Sequence, residues 1–417
     1  MSVQKSKIIF VVLDGLGDRP LPALGNKTPL EAAHTPHLDS LASQGIAGLV
    51  TILPEGIAPE SDQGMLALLG YDVFKHYTGR GVLEAYGYGV PFNRGDVIMR
   101  VNFATAEQDT ITDIQGGKLA DDEAVALAQA LAPLTEVSGV KARFVRTKGY
   151  RGVLILSGTA LSSDVSNTHP GYRIVRGNVS TSLPVQGKVL KKIRCEPLGR
   201  TAAAKRTADA VNAYVEQAES LLAAHPVNKE RLRKEMPQAN TLLMRSASSA
   251  LPKLRKVKGR WLLLADMPVE SAIGKLAGMD VMKTPENLAD AAMAVGASFG
   301  KYDSFYVHIK ETDTHAHRGD ADAKKRALER IDAEFFGTLA EHINLADAVV
   351  VVTGDHATPC NLRAHAADPV PVLFCGKGVR ANGVPAFNES ACRGGIRMAG
   401  HDVMKKALEL AAGISKP

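Results

Sequence analysis

Short apolar runs rich in β-branched residues recur along the chain and are bounded by Gly, Asp or Pro. They lie at residues 8–13, 152–156, 261–264, 305–309, 348–352 and 370–374. Such runs are typical of strands buried on both faces, the usual state of a strand in a parallel sheet. Helical patterns separate them, at residues 120–132, 202–224, 287–299, 321–343 and 402–412. The alternation predicts an α/β fold with a mostly parallel sheet, whose functional residues lie at the carboxyl ends of the strands.

The pattern changes between residues 94 and 182. Turn-rich, alternating segments at 96–103 and 110–114 precede a helical stretch and a strand. This segment predicts a smaller α+β domain inserted into the α/β core, so that residues 1–93 and 183–417 form the core and 94–182 the insertion. Residues 188–258 are charged and helical in pattern, and we expect them to lead back to the main sheet.

Composition excludes several classes of protein. The net charge of +6 is dispersed and aromatic residues make up only 5%, which argues against a nucleic-acid partner. The four cysteines have no CxxC spacing, which favours a reducing compartment over a disulfide or zinc framework. The first apolar run, residues 8–13, is too short for a signal peptide or a membrane span. We therefore expect a cytoplasmic protein without a membrane partner.

Acidic and imidazole side chains follow three of the predicted strands. Asp14 follows the first strand, where the simpler interpretation is an Asp that caps the next turn. Asp313 and His317 are four residues apart, an interval that lets two side chains on one helix face share a metal. The alternative for this pair is an exposed, His-rich turn.

The third strand end is the most specific. Two residues separate Asp355 and His356 from a four-valine run, and His365 lies nine residues after His356. An Asp-His pair that closes a turn is the alternative, but a metal satisfies both buried groups at once. The three strand ends together offer enough oxygen and nitrogen ligands for two divalent ions, and paired metals commonly support phosphoryl transfer. The candidate ligands are Asp14, Asp313, His317, Asp355, His356 and His365.

A candidate nucleophile, Ser61, lies in the loop before the helical pattern at residues 65–69. A serine at this position is most often an N-cap. Bound to a divalent cation, its hydroxyl could ionise near neutral pH and attack phosphorus, and the helix N-terminus would favour a phosphate.

Longer motifs resemble one family over nearly the whole chain. They include VLDGLGDRP at 12–20, TPLEAA at 28–33, ESD at 60–62, LLGYD at 68–72, YTGRG at 77–81, HPVN at 225–228, and TGDH at 353–356 followed by DPVPV. These segments are similar to the archaeal-type cofactor-independent phosphoglycerate mutases of the alkaline phosphatase superfamily.

The resemblance implies an alkaline-phosphatase-like three-layer core, an inserted substrate-binding domain and two divalent metal ions, Mn, Mg or Zn. It assigns one metal to Asp313, His317 and His365, and the other to Asp14, Ser61, Asp355 and His356. By the same resemblance Ser61 accepts the phosphoryl group as phosphoserine, and the enzyme interconverts 3-phosphoglycerate and 2-phosphoglycerate without 2,3-bisphosphoglycerate. The implied substrate is a small phosphorylated carboxylic acid.

Arginines are the expected ligands of that substrate, because guanidinium groups bind phosphate and carboxylate with two hydrogen bonds each. The candidates are Arg80, Arg143, Arg146 and Arg151. Arg80 and Arg151 are favoured because each lies in a segment resembling the family. For each arginine, a solvated surface position is the alternative.

Three segments depart from the family pattern, at residues 163–170, 245–249 and 282–287. They leave open a related phosphomutase or phosphohydrolase that acts on another small phosphorylated or phosphonate metabolite. A non-catalytic binding protein is the alternative of another class, but it has no chemical need for so many metal ligands. A homo-oligomer is left open as a partner.

Overall fold

The computed structural model describes residues 6–54, 56–185 and 187–413. The chain divides into two compact units, the first formed by Met1–His76 and Lys253–Pro417 and the second by Tyr77–Pro252. The second unit is wider than the insertion predicted at residues 94–182. It includes a helix before that segment, and two helices and two strands after it.

Strands and helices are numbered in chain order over both units. The strands are β1 (Lys7–Leu13), β2 (Ile46–Thr51), β3 (Val97–Glu107), β4 (Thr110–Asp113), β5 (Glu136–Val137), β6 (Val140–Arg146), β7 (Arg151–Ser157), β8 (Tyr172–Arg176), β9 (Val179–Ser182), β10 (Leu190–Lys191), β11 (Thr241–Ser248), β12 (Trp261–Leu264), β13 (Asp280–Met282), β14 (Ser304–Ile309), β15 (Ala348–Thr353), β16 (Val370–Gly376) and β17 (Ile396–Ala399).

The helices are α1 (Pro29–Ala32), α2 (Pro36–Gln44), α3 (Ser61–Leu68), α4 (Val73–His76), α5 (Arg80–Gly87), α6 (Asp121–Ala130), α7 (Ala202–Ala224), α8 (Pro226–Arg233), α9 (Pro268–Ala277), α10 (Leu288–Ser298), α11 (Glu311–Arg318), α12 (Ala321–Arg330), α13 (Gly337–His342), α14 (Glu389–Cys392) and α15 (Gly400–Ala411). A 3-10 turn covers Pro22–Leu24, and a π-helix covers Ile331–Phe336. The helix predicted at 321–343 is thus α12, the π-helix and α13 in succession.

The first unit contains an eight-stranded sheet in the order β13-β12-β14-β1-β15-β16-β2-β17. Neighbours from β13 to β15 are parallel, which confirms the predicted mostly parallel sheet. The run at 370–374 is the exception within this mostly parallel sheet, because β16 is antiparallel to both β15 and β2. Burial on both faces produces the same apolar run in either direction, so the sequence pattern does not distinguish them.

Helices cover both faces of this sheet. The alternate residues Ile9, Val11 and Leu13 of β1 pack in one core with apolar side chains of α2, α10, α12 and the π-helix. Helix α15 contacts β1 and β15, and α3 contacts α9 and α15. The predicted three-layer α/β arrangement is therefore confirmed.

The second unit is built on an antiparallel sheet, β10-β4-β3-β7-β6-β5, with β11 also paired to β3. Helix α7 packs on this sheet through buried residues such as Val211 and Tyr214. The segment 188–258 therefore does not simply lead back to the main sheet, because its strand β11 completes the sheet of the second unit. Within the described residues, no helix of either unit is both long enough and apolar enough to cross a membrane.

Candidate metal centre and arginine cluster

Asp14, Asp355 and His356 form one cluster in the first unit, with one ligand atom from each within 4.8 Å of the others. β1 and β15 are parallel neighbours, so the loops that follow them begin at the same edge of the sheet. His356 Nε2 lies 3.1 Å from Asp14 Oδ1 and 3.6 Å from Asp355 Oδ2. All three side chains are fully buried.

Gly15 makes this arrangement possible. Its φ is +64°, and a Cβ there would lie 2.7 Å from Thr358 Oγ1 and 2.9 Å from Asp313. The Gly15 amide donates to Asp355 Oδ1 at 3.1 Å, which leaves the second oxygen of that carboxylate facing His356. The sharp turn after β1 thus positions Asp14 and orients Asp355.

A second cluster consists of Asp313, His317 and His365. Asp313 and His317 lie one turn apart on α11, as their spacing predicts, and His365 comes from the loop after β15. Asp313 Oδ1 lies 3.2 Å from His317 Nε2 and 3.6 Å from His365 Nε2. The two imidazole Nε2 atoms are 3.2 Å apart.

The hydrogen bonds behind the three imidazoles fix which nitrogen carries a lone pair. His317 Nδ1 donates to the Arg363 carbonyl at 3.0 Å, and His365 Nδ1 donates to the Pro59 carbonyl at 2.7 Å. Thr358 Oγ1 donates to Asp313 Oδ1 at 2.9 Å and can therefore accept from His356 Nδ1 at 3.0 Å. In the neutral tautomers each Nε2 is consequently an acceptor that faces carboxylate oxygens.

These residues fit divalent cations. Asp14 Oδ1 and Asp355 Oδ2 are buried and have no hydrogen-bond partner within the part of the chain that the structure describes. In both clusters a carboxylate oxygen lies 3.1–3.6 Å from an imidazole Nε2, and both atoms are hydrogen-bond acceptors. Such a contact costs free energy unless a positive charge lies between the two atoms. Carboxylate oxygens and imidazole nitrogens with hydrogen-bonded second nitrogens are a common ligand set for such ions.

The electrostatics of both clusters agree with this fit. Burial opposes ionisation of Asp14, but Lys310 and His356 outweigh it and lower the pKa of its carboxyl. Burial also opposes a charged His356, but Asp355 and Asp14 raise its pKa to about 9. The cluster therefore attracts positive charge, either as a proton or as a cation.

Ser61 is the first residue of α3 and lies beside the first cluster. Its Oγ is 3.3 Å from His356 Nε2. The N-cap of α3 is Glu60, whose backbone amide donates to Gln63 Oε1 at 3.4 Å, so Ser61 is not the cap. The structure thus brings Ser61 together with His356, and through it with Asp14 and Asp355.

Two lysines near these clusters were missed by the sequence reasoning. Lys310 Nζ donates to Asp14 Oδ2 at 2.6 Å and to Asp313 Oδ2 at 2.5 Å, so it touches both clusters. Lys324 is fully buried, and its Nζ donates to Asp18 and to the carbonyls of three loop residues. Lys310 could have been noticed because it stands between the predicted strand at 305–309 and Asp313, whereas Lys324 lies in an ordinary charged helix pattern.

The second unit contains a cluster of arginines around Glu84, a buried carboxylate on α5. Arg80 Nε lies 3.3 Å and Arg100 Nη1 3.5 Å from Glu84 Oε2. Burial opposes ionisation of Glu84, but Arg100, Arg80, Arg151 and Arg245 together lower its pKa. Arg100 and Arg245 are paired across β3 and β11, and Arg245 stacks on the ring of Tyr172 at 3.8 Å.

Two of the four arginines predicted from the sequence, Arg80 and Arg151, lie in this cluster. Arg143 instead donates to the Pro91 carbonyl, and Arg146 pairs with Asp121 at 2.8 Å. Arg100 and Arg245 join the cluster through strand register, which the sequence does not show.

The cluster also offers unused donors. The Nε atoms of Arg100 and Arg151 are buried and have no hydrogen-bond partner in the described ranges. A buried guanidinium N–H without an acceptor is costly, and phosphate or carboxylate oxygens would satisfy it.

The fold and the side-chain clusters together define a class of protein, an α/β protein with two Asp/His clusters whose donor atoms suit divalent cations and a cluster of arginines around a buried carboxylate. The comparisons with known proteins narrow this class. The family model described as 2,3-bisphosphoglycerate-independent phosphoglycerate mutase matches residues 42–228. A curated enzyme of that name from Methanocaldococcus jannaschii is 36% identical, with 98% of each chain covered.

Solved structures agree. The cofactor-independent phosphoglycerate mutase of Thermoplasma acidophilum superposes with a TM-score of 0.60 at 30% identity, covering 97% of this chain and all of that one. A Pyrococcus horikoshii protein gives a TM-score of 0.76 at 27% identity, covering 100% and 99% of the two chains. The chain belongs to the 2,3-bisphosphoglycerate-independent phosphoglycerate mutase family, as its motifs predicted.

Proposed function

We propose that the protein interconverts 3-phosphoglycerate and 2-phosphoglycerate without 2,3-bisphosphoglycerate, through a phosphoserine on Ser61. The observation that carries the proposal is the convergence of Asp14 Oδ1, Asp355 Oδ2 and His356 Nε2 beside Ser61 Oγ. These are acceptor atoms that suit a cation next to a nucleophile. The relatives that match nearly the full length carry the name of this activity.

Two divalent ions, Mn, Mg or Zn, would occupy the two clusters. Asp14, Ser61, Asp355 and His356 would hold one, and Asp313, His317 and His365 the other. When bound, such ions lower the pKa of a ligating hydroxyl and neutralise charge on a phosphoryl group.

Ser61 carries the transfer in this proposal. Its oxygen attacks phosphorus, the bond between phosphorus and the 3-oxygen of the substrate breaks, and that oxygen takes up a proton. The glycerate then turns, and its 2-oxygen attacks the phosphoserine, which returns the Ser61 oxygen. Because Ser61 begins α3, the backbone N–H groups of the first turn stabilise the negative phosphoryl group.

The arginines of the second unit would bind the anionic groups of the substrate. Phosphate and carboxylate both accept paired hydrogen bonds from guanidinium groups, and the Arg100 and Arg151 Nε donors are available for them. Water has to be excluded while the glycerate turns, since hydrolysis of the phosphoserine would convert the mutase into a phosphatase.

The decisive assay uses the purified protein with Mn²⁺ and 3-phosphoglycerate, following both 2-phosphoglycerate and free phosphate. We expect 2-phosphoglycerate without net phosphate release. Phosphate release without isomerisation would refute the mutase and favour a phosphohydrolase of the same family.

The nucleophile is tested by Ser61→Ala, with Ser43→Ala on the exposed surface of α2 as the matched control. We expect the first variant to lose turnover and the phosphopeptide containing residue 61 in quenched samples, while it remains folded and still binds Mn²⁺. The control should keep both. An active Ser61→Ala variant would remove Ser61 from the mechanism.

We also propose a cytoplasmic location. In the part of the chain that the structure describes, the four cysteines are buried free thiols. Buried unpaired thiols suit a reducing compartment.

A further inference from the structure

Lys310 contacts both ligand clusters, as Thr358 does, and among the side chains named so far it is the one that brings a positive charge to both. It follows β14 and immediately precedes α11, the helix that carries Asp313 and His317. Its Nζ lies 2.6 Å from Asp14 Oδ2 and 2.5 Å from Asp313 Oδ2, and its side chain is 31% exposed. One ammonium group therefore bridges a carboxylate of each cluster.

The bridge divides the oxygens of both carboxylates in the same way. Asp14 gives Oδ2 to Lys310, and its Oδ1 faces His356 Nε2 at 3.1 Å. Asp313 gives Oδ2 to Lys310, and its Oδ1 faces His317 Nε2 at 3.2 Å. In each cluster the carboxylate oxygen that Lys310 does not bind, Oδ1, is therefore the one that faces the imidazole nitrogens.

The backbone around Lys310 is itself fixed to the first cluster. The Asp14 amide donates to the Ile309 carbonyl at 2.9 Å, and the Thr312 hydroxyl donates to the Asp14 carbonyl. The end of β1 and the start of α11 are thus joined on both sides of Lys310. This rigidity lets a flexible lysine hold two carboxylates in one geometry, at a small cost in side-chain entropy.

We propose that Lys310 is a positioning residue that joins the two metal sites, holding one oxygen of Asp14 and one of Asp313 so that the other oxygen of each is presented to its cation. The inference rests on the proposed metal centre. Hydrogen-bonding partners of ligating carboxylates typically change metal affinity 10–100-fold when removed. Lys310 also keeps the two negative groups from repelling each other across the site.

The test compares Mn²⁺ binding by the wild type, Lys310→Met and Lys310→Arg, with Lys325→Met as the matched control. Lys325 lies on α12 in the same unit, where it forms a partly exposed pair with Glu329 at 3.0 Å. Binding isotherms give the affinity of each site, and electron paramagnetic resonance of the loaded protein reports the magnetic coupling between two Mn²⁺ ions.

We expect Lys310→Met to lose about 10–100-fold in Mn²⁺ affinity and to change the coupling signal. Lys310→Arg, which keeps a cation with several donors, should restore most of both, and Lys325→Met should match the wild type. Equal or tighter binding by Lys310→Met with an unchanged coupling signal would overturn the proposal. If Lys310→Met fails to fold, judged by circular dichroism, Lys310→Gln replaces it under the same two outcomes.

The design separates this inference from the proposed function. If the wild type binds no Mn²⁺, the metal centre is refuted. If the wild type binds two ions and Lys310→Met binds them equally well, only the role of Lys310 is refuted. The mutase assay remains an independent measurement, because metal binding is scored without substrate.

Discussion

Replacing Lys324 by Met tests how the first unit holds its ligand loops. Lys324 Nζ is fully buried and lies 2.9 Å from Asp18 Oδ2, 2.9 Å from the Gly15 carbonyl and 3.1 Å from the Thr358 carbonyl. These acceptors belong to the loops after β1 and β15, which carry Asp14, Asp355 and His356. One ammonium group therefore ties together the two loops of the first ligand cluster.

The size of the effect follows from burial. Lys324→Met leaves the Asp18 carboxylate buried without its cation, although the amides of Arg19 and Cys360 still donate to it at 2.8 and 3.1 Å. Removing one partner of a buried pair typically costs about 3–5 kcal/mol. For a unit of this size, about 2–4 °C are lost per kcal/mol, so we expect the melting temperature to fall by about 6–20 °C.

Thermal and urea unfolding of the metal-free protein, followed by circular dichroism, measure this loss. Lys325→Met is the neighbouring control, because its i,i+4 ion pair with Glu329 is partly exposed and should contribute less than about 1 kcal/mol. The double variant Lys324→Met with Asp18→Asn should lose less than the sum of the two single changes, since both remove one interaction. A Lys324→Met variant within about 1 kcal/mol of the wild type would refute the argument.

Two further predictions concern the arginine cluster and a buried carboxyl. Arg100→Ala and Arg245→Ala should each lower kcat/KM for 3-phosphoglycerate about 10–100-fold, because charge-assisted hydrogen bonds to the substrate are lost. Arg143→Ala, whose side chain bonds to the Pro91 carbonyl instead, should have little effect. Equal losses in all three variants would contradict the cluster as the binding site. Burial raises the pKa of Glu389 to about 7, above its value of 4.5 in the unfolded chain. Its contribution to stability is therefore present below pH 4.5 and is lost as the pH rises through 7, so the urea stability of Glu389→Gln should fall less over this interval than that of the wild type; parallel pH profiles would contradict the raised pKa.

The sequence predicts the first unit well where the signal is local. β1, β14 and β15 are continuous apolar runs, and the ligands lie within four residues of the strand ends. Parallel neighbours therefore bring Asp14, Asp313 and Asp355 to one edge of the sheet. The direction of β16 was not predictable because burial on both faces does not depend on strand direction.

Residues that depend on pairing between distant strands were not predictable in this way. Arg245 meets Arg100 only because β11 pairs with β3, more than a hundred residues earlier in the chain. The pairing register shifts after Arg245, where Ser246 has a φ of 54° and the strand forms a bulge. The sequence of residues 245–249 does not predict this bulge. Lys324 contacts the loops of Asp14 and His356 through tertiary packing alone.

The first unit contains buried hydrogen-bond acceptors without partners, and the second contains buried donors without partners, among the described residues. In the first, the buried Asp14 Oδ1 and Asp355 Oδ2 have no hydrogen-bond partner among the described residues, and both face His356 Nε2. In the second, the buried Nε donors of Arg100 and Arg151 have no acceptor among the residues that the structure describes. A folded chain does not keep such groups for stability, because each unsatisfied polar atom costs about 1–3 kcal/mol. Cations satisfy the first set and an anionic substrate the second, so ligand binding should raise the stability of each unit, and Mn²⁺ and phosphoglycerate added separately to the protein should each raise the unfolding temperature.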